Sequence, residues 1–99
     1  MVSDEKSLQN YLFSLAKKHG YYCRKVRAVG HTGFPDVFLA HGGQCVLVEL
    51  KSPTGKGRLS KKQEREISKL LKAGISVHVV DKIHEVDYAI NQLHNTGPK

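Results

Sequence analysis

Apolar positions recur along this chain at two spacings, and each change of spacing marks a new element. From residue 4 to 19, Leu8, Tyr11, Leu12, Leu15 and Ala16 fall on one helical face, with Ser3 as the expected N-cap and Gly20 where the helix stops. Residues 21–29 alternate loosely and predict a strand, with Arg24, Lys25 and Arg27 near its outer positions. The Gly and Pro of His31-Thr32-Gly33-Phe34-Pro35 predict a loop. Residues 36–40 and 45–51 read as two strands joined through His41-Gly42-Gly43-Gln44, a hairpin whose glycines suit a tight turn. After a Gly- and Lys-rich loop over 52–59, residues 60–73 predict a second helix that buries Ile67, Leu70 and Leu71 and ends before Gly74. Residues 75–80 are rich in β-branched side chains and predict a strand. Asp81 is the expected cap of a third helix whose apolar face is Ile83, Val86, Ala89, Ile90 and Leu93. The order α-β-β-β-α-β-α predicts an α/β or mixed α+β fold, a mixed four-stranded sheet flanked by helices.

A chain of 99 residues has room for one core, so residues 1–95 are expected to form a single domain and 96–99 a short polar tail. No apolar run approaches membrane-spanning length, and MVSDEKSLQN lacks the layout of a secretory signal, so a membrane is not expected and the cytoplasm is the expected compartment. Cys23 and Cys45 form no CxxC pair and read as packed strand residues rather than zinc ligands. Histidines 19, 41, 78, 84 and 94 show no ligand spacing. Charge adds direction: 16 Lys and Arg against 9 Asp and Glu give a net charge of +7, which in so small a domain favours a polyanion such as nucleic acid.

The hairpin carries the candidate chemistry. With Gly42-Gly43 as its two turn residues, His41 faces Gln44, Ala40 faces Cys45, Val37 faces Val48, and Asp36 falls opposite Glu49. Cross-strand neighbours stand roughly 5 Å apart at Cβ. Lys51, two residues beyond Glu49, projects from the same face. Two carboxylates at that distance repel by roughly 3 kcal/mol at an effective dielectric near 20. Lys51 relieves part of this, and a divalent cation between the carboxylates reverses it. Mg²⁺ suits such a site, and Mn²⁺ takes the same oxygen ligands. A cation, an adjacent ammonium and a held water are the parts needed for phosphodiester hydrolysis. The plainer reading makes all three residues solvated strand ends; their matched register on a basic domain favours chemistry.

Pro35-Asp36 followed by Glu49-Leu50-Lys51 resembles the motif of the PD-(D/E)xK nuclease superfamily, and the element order is similar to that superfamily's restriction-endonuclease-like core. Gly33-Phe34-Pro35-Asp36 resembles the G-x-P-D form of the virus-type replication-repair nuclease family, VRR-NUC, and Ser60-Lys61-Lys62-Gln63 resembles its S-x-x-Q at the next helix start. The resemblance spans essentially the whole chain and fits small stand-alone members from phages and bacteria. It implies that Asp36 and Glu49 ligate the metal with help from the Leu50 backbone carbonyl, and that Lys51 positions or deprotonates the attacking water. It also implies that Gln63 reaches the site and that Glu5 binds a metal-linked water or a second metal. Gln63 equally completes a capping box with Ser60, and Glu5 equally favours its helix through the macrodipole.

For DNA, the expected contacts are Lys56, Arg58, Lys61 and Lys62 beside the site, a second strip of Arg24, Lys25 and Arg27, and His31 before the motif. Cutting two strands symmetrically needs two sites, most simply in a C₂ dimer. The family resemblance points the same way, to a homodimeric Holliday-junction resolvase acting on four-way junctions, with dimer surface from residues 83–93. The alternatives are a monomeric flap- or fork-cutting nuclease and a non-catalytic basic DNA-binding module. No nucleotide cofactor is expected.

Overall fold

Gly42 and Gly43 both hold positive φ, 59° and 82°, as a two-residue turn matched to strand twist requires. In this computed structural model, which describes residues 4–53 and 58–94, the turn joins β2 (Val37–His41) to β3 (Gln44–Leu50). Val37 pairs with Val48, Ala40 with Cys45 and His41 with Gln44, the register read from the glycines. Before them come α1 (Glu5–Lys18) and β1 (Tyr22–Lys25); after them α2 (Lys61–Lys72), β4 (Ser76–Val80) and α3 (Ile83–His94). The sheet order is β1-β2-β3-β4, antiparallel except for the parallel β3–β4 pair that α2 connects. The chain therefore has the expected mixed α+β fold.

Alternation divides the sheet into two unlike faces. Val37, Leu39, Val46, Val48, Leu50 and Val80 point to one face and form the core with Leu8, Leu12 and Ala16 of α1 and Val86, Ile90 and Leu93 of α3. Asp36, Phe38, Leu47, Glu49, Val77 and Val79 point to the other, where α2 packs against β4. Cys23 and Cys45 fall on opposite faces and are both free thiols. Burial pushes the Cys23 thiol up to about 11.

Four local expectations are corrected. The cap of α1 is Asp4, whose carboxylate accepts from the Ser7 amide at 2.7 Å; Ser3 lies outside the described residues. β1 stops at Lys25, because its partner strand begins only at Val37, after the Gly33–Pro35 loop; the Val26 amide still reaches Asp36 O at 2.7 Å, but Val29 is 92% exposed. α2 buries no residue fully, and Leu71 is exposed instead of joining the stripe of Ile67 and Leu70. At α3, the Glu85 carboxylate folds back to accept the Asp81 and Lys82 amides at 2.8 and 3.2 Å, while Asp81 takes the Lys82 ammonium at 3.1 Å. The expected tail at 96–99 also lies outside the described residues. Among those described, no helix is long and apolar enough to cross a membrane.

Candidate active site

Asp36 sits one residue ahead of β2, so continuation of the hairpin register sets it across from Glu49. Its Oδ2 accepts from the Leu50 amide at 3.1 Å, which fixes the carboxylate over the end of β3. Glu49 is only 2% exposed, a carboxylate walled in by the sheet beneath and α2 above. Lys51 leaves the same face, with its ammonium 3.6 Å from Glu49 Oε2.

Gln63 completes the cluster from α2. Its Oε1 accepts from Lys51 Nζ at 2.9 Å and from the Ser60 amide at 2.8 Å, while its Nε2 donates to Glu49 Oε2 at 3.0 Å. Two donors at one end and a carboxylate at the other allow only this orientation of the amide. Ser60 Oγ accepts from the Gln63 amide at 3.1 Å, so the capping box is present as well. One side chain therefore both closes the helix start and joins Lys51 to Glu49.

The electrostatics follow from this confinement. Burial, then the neighbouring Asp36 charge, raise the Glu49 carboxyl to about 7; Lys51 pulls the other way, and the close approach of the Asp36 carboxylate and the Glu5 charge add to the rise. Glu5, exposed on the first turn of α1, is thus near enough to be felt at Glu49. Its side chain does not complete a cluster, since no group of three His, Cys, Asp or Glu among the described residues is placed to hold a metal ion. Glu49 Oε1 is buried with no hydrogen-bond partner among those residues. Such an atom costs about 1–3 kcal/mol, more when charged, a cost that either a proton or a divalent cation shared with Asp36 would remove. The donor set thus fits an oxygen-seeking metal: two carboxylates, with room in the coordination shell for a backbone carbonyl and water. At Leu50 the interaction with the site is through its amide, as above; its carbonyl remains a proposed ligand.

The expected DNA contacts divide by position. Arg58, Lys61 and Lys62 are exposed at the entry to α2, beside the cluster, and Lys56 lies outside the described residues. Lys25, Arg27 and His31 line an open groove along the 25–36 segment that ends at Asp36. Arg24, opposite Phe38, belongs to the catalytic face, whereas alternation turns Lys25 the other way.

Gly33 has a role that its motif alone does not disclose. With φ at +96°, it lies so close to α2 that a β-carbon would stand 2.8 Å from the Lys62 carbonyl and 2.9 Å from the Gln63 nitrogen. The loop that delivers Asp36 is thereby seated on the helix start that delivers Gln63. The sequence signal was a glycine just ahead of Pro-Asp; the surface it meets was not legible.

A mixed sheet with Asp36, Glu49 and Lys51 converging at the end of its central hairpin is the arrangement of the PD-(D/E)xK type, the nuclease class to which the VRR-NUC domain belongs. The family model for the VRR-NUC domain matches residues 3–82, and the chain belongs to that family. Among solved structures, a VRR-NUC domain protein superposes with a TM-score of 0.79 at 22% identity, covering 95% of this chain and 90% of the other. A second, a VRR-NUC domain, gives 0.77 at 28% identity, covering 88% and 94%. No curated protein matches the chain. Membership implies a nuclease with DNA as its substrate.

Proposed function

We propose that the domain is a Mg²⁺-dependent endonuclease, with Mn²⁺ an effective substitute, that cuts branched DNA as a homodimer, four-way junctions above all. The observation that carries the metal dependence is the unpartnered, buried Oε1 of Glu49 beside Asp36. Asp36, Glu49 and the Leu50 carbonyl would hold the ion, which supplies charge neutralisation at the phosphate and acidifies water. Lys51, held by Gln63 at 2.9 Å and 3.6 Å from Glu49 Oε2, would orient the water that attacks phosphorus. One P–O bond forms and the bond to one sugar oxygen breaks, leaving a phosphate monoester and a hydroxyl. Glu5 would bind a water of the ion's outer shell. Lys56, Arg58, Lys61, Lys62, Lys25, Arg27 and His31 would neutralise the backbone phosphates on either side.

Only part of the 83–93 segment is open to support a dimer. Val86, Ala89, Ile90 and Leu93 are consumed by the core. The sheet has two edge strands: β1 carries Arg24 and Lys25, whereas β4, with the sequence SVHVV, has no Lys, Arg, Asp, Glu or proline to discourage pairing. Val79 of β4 and Tyr88 of α3, beside His78, are exposed there, and Leu71 of α2 and Ile83 of α3 are exposed on the elements that flank β4 in the chain. The segment from β4 through α3 is also net acidic, with Asp81, Glu85 and Asp87 against Lys82, so a second copy of a +7 chain meets little repulsion here. Two-fold pairing of β4 edges would keep the catalytic faces on one side of a continuous sheet.

The test is cleavage of a labelled four-way junction, splayed arm, flap and linear duplex, with Mg²⁺, with EDTA, and with Lys51→Ala. Paired, metal-dependent nicks in the junction, absent from the variant, are expected. Flap or fork cleavage instead would overturn the resolvase reading, and DNA binding without any cleavage would overturn the enzyme.

A further inference from the structure

The helix α2 covers only the β4 side of the catalytic face, and the open side displays an aromatic cluster. Tyr22 pairs with Ala40 and Arg24 with Phe38, so the side chains of Tyr22, Arg24 and Phe38 share the face of Asp36 and Glu49. Tyr22 is 53% exposed. It meets the Phe38 ring edge-on at 6.0 Å and 81°. The Arg24 guanidinium lies 4.3 Å from the centre of the Tyr22 ring, steadied by donation from Nη1 to the Cys23 carbonyl at 2.8 Å.

A flat cation layered on an exposed ring is built to stack with another flat, electron-rich group. Its position narrows the choice. Phe38 is two residues along β2 from Asp36 and Ala40 is four, so at about 3.4 Å per residue the cluster begins about 7 Å and ends about 14 Å from the catalytic carboxylate. At a rise of about 3.4 Å per stacked nucleotide, this lies within about four nucleotides of the bond to be cut. Charge disfavours a second copy of this chain as the occupant, since the exposed Arg24 would face another chain of net charge +7. A polyanion that carries aromatic bases meets both requirements, and a base can reach the cluster only when it is not paired in a duplex.

We propose that Tyr22, Arg24 and Phe38 form a stacking platform for an unpaired nucleobase of the bound DNA, which selects substrates with unstacked nucleotides next to the cleavage point. This rests on the nuclease reading above and adds a determinant of its substrate choice. Arg24 then acts as a stacking residue rather than a simple phosphate contact.

The experiment uses splayed-arm DNA with 2-aminopurine at successive single-stranded positions, bound in Ca²⁺ to prevent cleavage. Stacking should quench the emission at one or two positions on binding to the wild-type protein. Tyr22→Leu and Arg24→Gln should abolish the quench and weaken binding of the splayed arm about 5- to 150-fold, while Tyr22→Phe retains both. Binding without quenching at any position, or quenching that survives Tyr22→Leu, overturns the platform. Quenching by a wild-type protein that cuts nothing in Mg²⁺ sinks the nuclease reading and leaves the platform standing. Failure to bind DNA at all overturns both.

Discussion

A β-carbon on Gly33 would come within 2.9 Å of the Gln63 backbone nitrogen, so the loop ahead of Asp36 and the first turn of α2 touch backbone to backbone. This contact ties the two halves of the site together. Gly33→Ala meets both a positive φ and that wall, and should cost about 1–3 kcal/mol of stability. Urea unfolding measures the loss. Activity of the remaining folded fraction should also drop, because Gln63 is displaced from Lys51 and Glu49.

Ser60 and Gln63 separate capping from catalysis. Ser60→Ala removes one hydrogen bond of the capping box and should cost about 1 kcal/mol with little change in kcat. Gln63→Ala removes the other and also releases Lys51 and Glu49, so kcat should fall at least tenfold further. Equal kcat for the two variants would reduce Gln63 to a cap.

Stability should depend on pH through Glu49, whose carboxyl is raised from 4.5 to about 7 by burial and by Asp36. A raised carboxyl pKa means that the folded protein binds the proton more tightly than the unfolded chain does. The contribution is therefore full below about pH 4.5 and is lost progressively up to about pH 7. Without divalent cation, the melting temperature should fall over this window, and Glu49→Gln should flatten the slope. An unchanged slope in that variant would remove Glu49 as its source.

Mg²⁺ should reverse the loss at pH 8. Binding to the folded state alone stabilises by RT ln(1 + [L]/Kd), about 2.7 kcal/mol at a hundredfold excess over Kd. Asp36→Asn keeps an oxygen for the Leu50 amide but loses charge, so it should fold and show no Mg²⁺-induced rise in melting temperature. A full rise in this variant would place the ion elsewhere.

Dimerisation is checked by sedimentation. The wild-type chain should sediment at twice its 11.0 kDa mass. Leu71→Lys combined with Tyr88→Lys, on the helices that flank β4 in the chain, should give monomers and turn paired junction nicks into single ones. A monomeric wild type would end the proposal.

How much of this could be read from the sequence depends on how local each feature is. Gly42-Gly43 dictates a two-residue turn, and a strand's period of two then places Asp36 opposite Glu49 and Lys51 on the same face. The faces of α1 and α3 follow from spacing, because each stripe has a core to enter, except that Ile83 at the start of α3 stays exposed. The extent of β1 did not follow, since a strand lasts only as long as its neighbour, and β2 begins after Pro35. Nor did the exposure of Leu71, the seat of Gly33 against α2, or the open cluster of Tyr22, Arg24 and Phe38. All three depend on where α2 lies across the sheet. The sequence by itself determined the elements, the hairpin register and hence the convergence of two carboxylates and a lysine. Only the tertiary structure decided which half of the catalytic face is covered, what Gln63 touches and which strands form the edges, because those contacts join segments far apart in the chain and are selected by packing rather than by local preference.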